Sequence, residues 1–345
     1  MSLFGKKTSP TPLDGVDALL ADLDGVVYAG PKAIPHAVES LNRAHEVTRV
    51  GYITNNASRT DEQVAQHLRD LGLSLDTADV VTSPQAAMGL LRAVAPAGST
   101  ILVIGGEGLT SEVAKNGFVV TDTALDNPAA VIQGFAPHLG WKNLAEASFA
   151  LNERNEAYPE GIPWIATNMD WTIPVERGVA PGNGTLVSAV HLAAGRLPEV
   201  AGKPELPIFE EANRRFGASH ALFIGDRLDT DIMGAVSAGM KSALVLTGID
   251  KAKQLLAAPV GSRPDYILGD LRELHEPYPT VEIGKKGEAR VGDAKVSLVA
   301  GADGMTDLVI DKAGTELDTL RAACAAIWNS GKAIFGFNVP EHLYL

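Results

Sequence analysis

Residues 16–28 read Val-Asp-Ala-Leu-Leu-Ala-Asp-Leu-Asp-Gly-Val-Val-Tyr, and they contain the strongest indication of the fold. Its apolar run, residues 16–21, stops abruptly at the carboxylate of Asp22. Short apolar runs of this kind are typical of strands buried in a parallel sheet. A second carboxylate, Asp24, follows after one residue. Ligands of open α/β sheets bind beyond the carboxyl ends of the strands, so this pair of carboxylates predicts a ligand site.

The segments that follow alternate between helix and strand patterns. Residues 38–45 predict a helix, and residues 47–54 predict the next strand. Thr60 and Gln63 have the spacing of a capping box, and apolar residues repeat at helical spacing behind them. This alternation indicates βαβ units, and therefore a parallel sheet.

The domain organisation follows from where this pattern restarts. A second series of βαβ units begins at residues 100–105, and a third resumes with the strand at residues 219–225. We expect a core domain in two parts (residues 1–83 and 184–275), an inserted α/β cap domain (residues 84–183) and a C-terminal extension (residues 276–345). Proline and glycine near both predicted cap boundaries supply turn chemistry. The predicted fold class is α/β, with a Rossmann-like parallel-sheet core.

The C-terminal extension has a different pattern and predicts a small α+β element. Short antiparallel strands are expected at residues 281–283, 289–291 and 295–299, with turns at 284–287 and 301–304. Residues 316–329 predict an amphipathic helix. Two hypotheses remain open for the extension. It is an assembly element that packs on the core or on a second subunit, or it is a regulatory module that binds an effector.

Composition and charge exclude several classes of protein. The 345 residues include 29 Lys plus Arg and 42 Asp plus Glu, so the formal net charge is 29 − 42 = −13. Such an acidic chain is not expected to bind nucleic acid or an anionic membrane. The single cysteine, Cys324, permits no internal disulfide and is expected to be a buried thiol. We expect a cytoplasmic protein, because we see no secretion signal and no apolar run near the ~20 residues that span a bilayer.

Polar residues recur at the ends of three further predicted strand regions. Thr54 ends the second strand, Lys203 follows the inserted segment in Gly-Lys-Pro, and Asp226 ends another strand in Gly-Asp, with Asp231 five residues later. Each of these signals is weak alone. In this order, after Asp22-Leu-Asp24, they resemble the haloacid dehalogenase superfamily of phosphohydrolases.

Further motifs resemble one branch of that superfamily. Ala166-Thr-Asn168-Met-Asp170 and Pro181-Gly-Asn-Gly184 are similar to the branch with a large α/β cap. That branch includes nucleotide, phosphoglycolate, pyridoxal phosphate and glycerol 3-phosphate phosphatases. The resemblance covers residues 14–275 and implies a hydrolase core with an inserted cap.

The resemblance also implies a metal-dependent mechanism. A phosphate dianion repels a carboxylate nucleophile, so the site needs a divalent cation, and Mg²⁺ suits carboxylate and carbonyl oxygens. Asp22 would be the nucleophile and a metal ligand, and Asp226 a second ligand. Asp24 would ligate through its backbone carbonyl and use its side chain as general acid and base. Asp231 would orient the metal's waters or Lys203.

Phosphoryl and substrate contacts are assigned by the same resemblance. Thr54 and Lys203 would bind phosphoryl oxygens. The candidates for substrate binding are Asn55, Arg59, Asn168 and Asp170, together with Trp171. Three cap aromatics, Trp141, Phe149 and Trp164, are expected in the cap core and not in a base-stacking platform.

The predicted function is therefore Mg²⁺-dependent hydrolysis of a small phosphorylated metabolite. Glycerol 3-phosphate is the first choice of substrate, and phosphoglycolate is the second. Two alternatives use the same residues: a phosphomutase, which must return the phosphoryl group and exclude water, and a phospho-ligand sensor without turnover. A homo-oligomer formed through the cap or the extension is the expected assembly.

Overall fold

The computed structural model describes residues 9–154, 156, 158–175, 177–284 and 287–344. The chain forms two compact units. Unit 1 contains the chain up to Ala29, Ala33–Val50 and the chain from His220 onward, and unit 2 contains Gly30–Lys32 and Gly51–Ser219. Residues 1–8 of the predicted core and 285–286 of the predicted turn lie outside the described residues. The domain boundaries at residues 83, 183 and 275 stay predictions.

The elements are numbered along the chain. The strands are β1 (Ala18–Ala21), β2 (Tyr28–Ala29), β3 (Lys32–Ala33), β4 (Arg49–Thr54), β5 (Val80–Thr82), β6 (Thr100–Ile104), β7 (Val119–Thr121), β8 (Ala130–Gln133), β9 (Trp164–Ala166), β10 (Thr172–Val175), β11 (Gly178–Pro181), β12 (Glu199–Val200), β13 (Ala221–Gly225), β14 (Lys241–Val245), β15 (Tyr266–Leu268), β16 (Val281–Ile283), β17 (Ala289–Val291), β18 (Ala294–Ala300), β19 (Thr306–Lys312) and β20 (Phe337–Asn338). The helices are α1 (Ala37–His45), α2 (Asp61–Asp70), α3 (Ser83–Val94), α4 (Glu107–Lys115), α5 (Trp141–Asn152), α6 (Asn183–Ala194), α7 (Leu206–Phe216), α8 (Met233–Ser237), α9 (Ala252–Leu256) and α10 (Glu316–Asn329).

The central strands of unit 1 are parallel. Strand β1 pairs with β13, β13 with β14, and β14 with β15. Every residue of β1 and of β13 is buried. Strands covered on both faces carry continuous apolar sequence. This explains why the four residues of β1, which come directly before Asp22, are all apolar, and the predicted parallel strands at both positions are confirmed.

Unit 2 contains a second parallel sheet, in the order β12-β9-β8-β6-β7. Its core is formed by apolar side chains of β6, β8 and β9 together with those of α5 and α6. Strand β5 pairs in parallel with β4, and the exposed strands β10 and β11 form an antiparallel hairpin. Together with the sheet of unit 1, these elements confirm an α/β fold whose second sheet is inserted in the sequence.

The predicted capping box at the start of α2 is confirmed. The Thr60 hydroxyl accepts the Gln63 N–H at 3.1 Å, and the Gln63 side chain accepts the Thr60 N–H at 2.9 Å. These bonds satisfy two donors that a helix start leaves without intrahelical partners. They stabilise the start of α2 at Asp61, seven residues after β4 ends at Thr54.

The C-terminal extension contains more strands than the sequence predicts. The three predicted strands and α10 are confirmed, and α10 begins and ends where expected. Strands β19 and β20 were not predicted. Strand β19 is antiparallel to β18, and its Asp and Lys residues conceal its alternation in the sequence. The sheet packs against α10 in an apolar cluster that also contains Leu228, Leu244 and Leu255.

A buried arginine on α10 ties the extension to the rest of unit 1. Arg321 is 5% exposed and donates twice to the carbonyl oxygen of Ile267, at 3.0 and 2.6 Å. It forms ion pairs with Glu273 and Asp318, and its guanidinium lies 4.6 Å from the centre of the Tyr278 ring. The extension therefore packs on the rest of unit 1. The assembly hypothesis includes this arrangement, because it has the extension packing either on the core or on a second subunit.

The prediction for the cap aromatics is wrong for two of the three residues. Trp164 is buried in the cap core as expected. Trp141 is 78% exposed and Phe149 is 58% exposed. Both lie on the outer face of α5, because a helix packed on a sheet buries only one of its faces. The buried residues on the opposite face of α5 include small ones such as Ala147 and Ala150.

Cys324 lies on α10 and is fully buried, as predicted. Burial raises the pKa of its thiol far above the ordinary value, because the thiolate would lose its hydration. The thiol therefore contributes packing and not reactivity. Among the described residues, none of the helices has the length and apolar character that a bilayer crossing requires.

Candidate active site

The sheet of unit 1 brings three carboxylates together, which we call the carboxylate cluster: Asp22, Asp226 and Asp231. Asp22 follows β1 and Asp226 follows β13, and these neighbouring strands are parallel. Their carboxyl ends therefore lie at one edge of the sheet. The Asp22 N–H continues the pairing by donating to the Ile224 carbonyl at 2.9 Å. The three side chains each present one oxygen within 4.8 Å of the others, and all three residues are buried.

Backbone N–H groups hold two members of the cluster in place. One Asp231 oxygen accepts the N–H groups of Asp226 at 3.2 Å and of Arg227 at 3.1 Å. The Ile249 N–H donates to an Asp226 oxygen at 2.6 Å. Hydrogen bonds of this kind favour the ionised carboxylate. Converging carboxylate oxygens held in a buried site fit a hard divalent cation such as Mg²⁺, which prefers oxygen ligands.

The loop after β14 was not identified from the sequence, yet it forms one wall of the cluster. A Cβ on Gly248 would overlap the Asp226 carboxylate, so only glycine allows this close approach. The Thr247 hydroxyl donates to the Gly25 carbonyl at 2.7 Å. Gly25 has φ +81°, and a Cβ there would also overlap Asp226. Thr247-Gly-Ile-Asp250 follows an apolar strand, and that position was the signal available in the sequence.

Asp250 adds another carboxyl group beside this loop. It accepts the Leu228 N–H at 2.6 Å. Burial raises the pKa of the Asp250 carboxyl, the Leu228 hydrogen bond opposes the rise, and the nearby Asp229 carboxylate adds to it. Burial, together with the neighbouring carboxylates of Asp229 and Asp231, therefore makes negative charge on Asp250 costly.

Asp24 is placed differently from the cluster. It is exposed, and its side chain is not among the carboxylates that converge. The Tyr28 hydroxyl donates to one of its oxygens over a long 3.4 Å. A β-bridge joins the backbones of Asp24 and Tyr28. Among the described residues, the side chain of Asp24 is thus not one of the three whose oxygens converge.

Unit 2 brings together four other predicted residues, which we call the lysine network: Asn55, Asn168, Asp170 and Lys203. The Asn55 amide donates to Asp170 at 3.0 Å and to the Lys203 carbonyl at 3.1 Å, and it accepts the Lys203 N–H at 2.8 Å. The Asn168 amide donates to the Asn55 carbonyl at 2.8 Å, and its oxygen accepts the Asp170 N–H at 3.1 Å. Lys203 is 4% exposed.

The glycines of the predicted motifs allow the network to close. A Cβ on Gly202 would lie 2.6 Å from the Asn55 side-chain oxygen and would overlap the Thr167 carbonyl. A Cβ on Gly182 would overlap the Asp170 carbonyl, and one on Gly184 the Met169 carbonyl. The Asn183 amide donates to the Asn168 carbonyl at 2.8 Å. The motif at residues 181–184 therefore supports the loop that carries Asn168 and Asp170.

Thr54 and Arg59 also lie in unit 2. Thr54 ends β4, is buried, and its hydroxyl oxygen accepts the Asn56 N–H at 3.1 Å. Arg59 is exposed, and its N–H donates to the Asn56 side chain. The exposed side chain of Arg59 is not part of the lysine network. Trp171 is 62% exposed, next to Asp170.

The sequence matches two family models. Residues 19–119 match the haloacid dehalogenase-like hydrolase model, and residues 200–274 match the HAD-hydrolase-like model. Parallel strands ending in carboxylates are the part of the fold that both matches contain. The chain belongs to the haloacid dehalogenase-like hydrolase family, and within it the chain is a phosphatase.

Particular relatives narrow the branch. The chain is 40% identical to the D-glycerol 3-phosphate phosphatase of Mycobacterium tuberculosis over 92% of its own length and 87% of the relative. It is 33% identical to an acid sugar phosphatase of Staphylococcus aureus over 74% of its own length and 95% of that protein.

Solved structures agree with the sequence relatives. The M. tuberculosis glycerol phosphate phosphatase in complex with magnesium has a TM-score of 0.83 and 37% identity, with coverage of 96% of this chain and 95% of that one. A p-nitrophenyl phosphatase from Archaeoglobus fulgidus has a TM-score of 0.67 and 26% identity, with coverage of 75% and 98%. These relatives favour hydrolysis over the mutase and sensor alternatives.

Proposed function

We propose that this phosphatase hydrolyses glycerol 3-phosphate in a Mg²⁺-dependent reaction, with phosphoglycolate as the second choice of substrate. The carboxylate cluster carries the proposal, because it supplies a nucleophile and metal ligands at one edge of the sheet. The M. tuberculosis relative that is 40% identical supports the choice of substrate.

The cluster residues divide the work around the phosphoryl group. Asp22 and Asp226 would hold Mg²⁺ through carboxylate oxygens, with the backbone carbonyl of Asp24 as a further ligand. When bound, the cation supplies positive charge that offsets the repulsion between a phosphate dianion and a carboxylate. Asp231 orients its surroundings through the Asp226 and Arg227 N–H groups that it accepts.

The reaction proceeds through two displacements at phosphorus. One Asp22 oxygen attacks the phosphoryl group, forming an aspartyl-phosphate, and the bond to the substrate alkoxide breaks. The Asp24 side chain gives its proton to that alkoxide. Asp24 then removes a proton from water, which attacks the aspartyl-phosphate and releases inorganic phosphate, restoring Asp22. The exposure of Asp24 suits a group that exchanges protons with water in each cycle.

The resemblance to the family assigns the groups that neutralise charge and select the substrate. The Thr54 hydroxyl and the Lys203 ammonium bind phosphoryl oxygens, which stabilises the charge that shifts during transfer. The substrate-binding assignments remain our proposal for Arg59, Asn168 and Asp170. Asn55 was the fourth candidate, but both N–H groups of its side-chain amide are already donated within the protein, to Asp170 and to the Lys203 carbonyl.

The experiment is phosphate release from a panel of monoesters, with Mg²⁺ and with a chelator. The panel contains glycerol 3-phosphate, phosphoglycolate, pyridoxal phosphate, nucleoside monophosphates and sugar phosphates, and Asp22→Asn is the control. We expect release concentrated on glycerol 3-phosphate, dependent on Mg²⁺ and absent in Asp22→Asn. Turnover at the wild-type rate in that variant would rule out the mechanism. Release concentrated on another compound would replace the substrate.

Location and assembly complete the proposal. We propose a cytoplasmic enzyme that acts on a small phosphorylated metabolite and forms a homo-oligomer through the cap or the extension. The exposed aromatic rings of Trp141 and Phe149 on α5 favour the cap. Sedimentation of the wild type against Trp141→Ala/Phe149→Ala tests this: a species of lower mass in the variant is expected, and a monomeric wild type contradicts it.

A further inference from the structure

We propose that Asn55 is a positioning residue that acts through Lys203: its side-chain amide fixes the main chain of Lys203 and thereby places the ammonium group. The inference rests on the proposed function, because it takes Lys203 as the cation that binds phosphoryl oxygens. It goes further by assigning Asn55 a role that the sequence motif does not suggest, since Asn55 follows Thr54 at the end of β4 and was expected to bind substrate.

The side-chain amide of Asn55 forms hydrogen bonds with both the N–H and the carbonyl group of Lys203. Its oxygen accepts the Lys203 N–H at 2.8 Å, and its nitrogen donates to the Lys203 carbonyl at 3.1 Å. A single side chain thus does what a neighbouring strand does in a sheet, across a separation of 148 residues. Two bonds to one residue fix its orientation as well as its position.

The remaining N–H of the same amide is also committed. It donates to Asp170 at 3.0 Å, so both hydrogens of the nitrogen are used within the protein. This settles which end of the amide is nitrogen, because the reversed group would place N–H against N–H at Lys203 and oxygen against oxygen at Asp170. The donors that could reach a substrate are therefore occupied.

Asn55 is itself anchored, which makes it able to position another residue. Its carbonyl oxygen accepts the Ser83 hydroxyl at 2.7 Å and the Asn168 amide at 2.8 Å. Ser83 is fully buried and Asn168 nearly so. A group held at its main chain and at both ends of its side chain has little freedom to move.

The glycine before Lys203 is the steric counterpart of this arrangement. A Cβ on Gly202 would come within 2.6 Å of the Asn55 side-chain oxygen, closer than such contacts occur. Residue 202 is not in the left-handed region of backbone space, so its glycine is explained by space and not by conformation. The Gly-Lys pair thus fits against Asn55 as one unit.

A small displacement of Lys203 has large consequences. Lys203 is almost completely buried, where charges interact strongly and water does not compensate for misplacement. Displacements near 1 Å cost about a hundredfold in catalytic rate in well-organised sites. Loss of the Asn55 amide should therefore weaken phosphate binding without removing any group that touches phosphate.

The test is a double-mutant cycle on the binding of inorganic phosphate to the Mg²⁺-loaded protein. Isothermal titration calorimetry compares wild type, Asn55→Ala, Lys203→Met and the double variant. We expect Asn55→Ala to weaken phosphate binding roughly tenfold or more. Because Asn55 acts through Lys203, the double variant should bind phosphate no more weakly than Lys203→Met alone.

The matched control is Asn116→Ala, which removes a hydrogen-bonded amide that follows α4 and should leave phosphate binding unchanged. Multiplicative losses in the double variant would overturn the inference, since Asn55 would then act independently of Lys203. So would undiminished phosphate binding in a folded Asn55→Ala. Should that variant not fold, Asn55→Asp keeps the shape and the acceptor while losing both donors, and the same non-additivity is expected.

The readout separates this inference from the proposed function. Phosphate binding is measured at equilibrium and needs no turnover. If no monoester in the panel is hydrolysed but the losses of phosphate affinity in the cycle are not additive, the proposed function is wrong and the positioning role of Asn55 is supported. If glycerol 3-phosphate is hydrolysed but the losses of phosphate affinity in the cycle are additive, the proposed function is supported and the positioning role of Asn55 is wrong. Wild-type protein that binds no phosphate would overturn the positioning role.

Discussion

The carboxylate cluster and the lysine network are built in opposite ways. The cluster uses residues that follow two neighbouring strands, and backbone N–H groups hold it, two of them within five residues of the carboxylate they bind and one 23 residues away. The network uses side-chain amides that reach across 113 to 148 residues of sequence. Main-chain donors therefore organise the carboxylate cluster, whereas the main chain of the buried Lys203 is held by the side-chain amide of a residue from a distant segment.

The largest effect is expected from removing a ligand of the cluster. Asp226→Ala should lower turnover by about a thousandfold or more, because it removes metal-binding charge from the site. Calorimetric titration with Mg²⁺ checks the cause and should show weakened binding. The control is Asp229→Ala in the same loop, whose carboxylate pairs with Arg227 at the surface. Unchanged Mg²⁺ affinity in Asp226→Ala would contradict the assignment of the carboxylate cluster as the metal site.

A buried ion pair outside both regions should affect stability alone. Arg321→Met leaves Glu273, Asp318 and the Ile267 carbonyl without their donor, and we expect a loss of about 3 kcal/mol in the free energy of unfolding. Unfolding by a chemical denaturant measures this loss of stability. The control is Arg272→Met, which removes an exposed arginine that pairs with Asp270. An equal, negligible change in both variants would show that the extension is not anchored by this arginine.

Gly248→Ala probes the cluster without altering any of its carboxylates. The added methyl group overlaps the Asp226 carboxylate, so Asp226 must move. We expect the Mg²⁺ concentration for half-maximal activity to rise about ten- to hundredfold, as for other changes that reorient a metal ligand. Gly261→Ala is the control, because its Cβ meets nothing within 4 Å. Identical Mg²⁺ dependence in both would contradict the close approach.

Gly202→Ala is the corresponding change in the lysine network and should have the smallest effect. Its methyl group would overlap the Thr167 carbonyl oxygen and the Asn55 side-chain oxygen, and we expect inorganic phosphate to inhibit about tenfold more weakly. The control is Gly140→Ala before α5, where a Cβ meets nothing within 4 Å. If Gly202→Ala changes the Mg²⁺ dependence and leaves phosphate inhibition unchanged, the lysine network affects metal binding and not phosphate binding, which contradicts the prediction.

Sequence reasoning succeeded where the chemistry lies close together along the chain. The apolar run before Asp22 and the Gly-Asp pair at residue 226 each mark a strand end by themselves. The capping box at Thr60 is a local pattern of the same kind. The loop at Thr247–Asp250 was missed because its contacts with Gly25 and Asp226 connect separate βα units. The exposure of Trp141 was missed because composition does not say which helix face is covered.

The amino-acid sequence alone was enough to predict the strand ends, the carboxylates that follow them and the family to which the chain belongs. Strand patterns and short motifs depend on interactions between near neighbours, which are written in residue order. The hydrogen bond between the Asn55 amide and the Lys203 main chain, and the close approach of Gly248 to Asp226, are visible only in the folded structure. Hydrogen bonds and close contacts of this kind depend on where distant segments pack, and directional contacts of a few ångströms leave no periodic trace in the sequence.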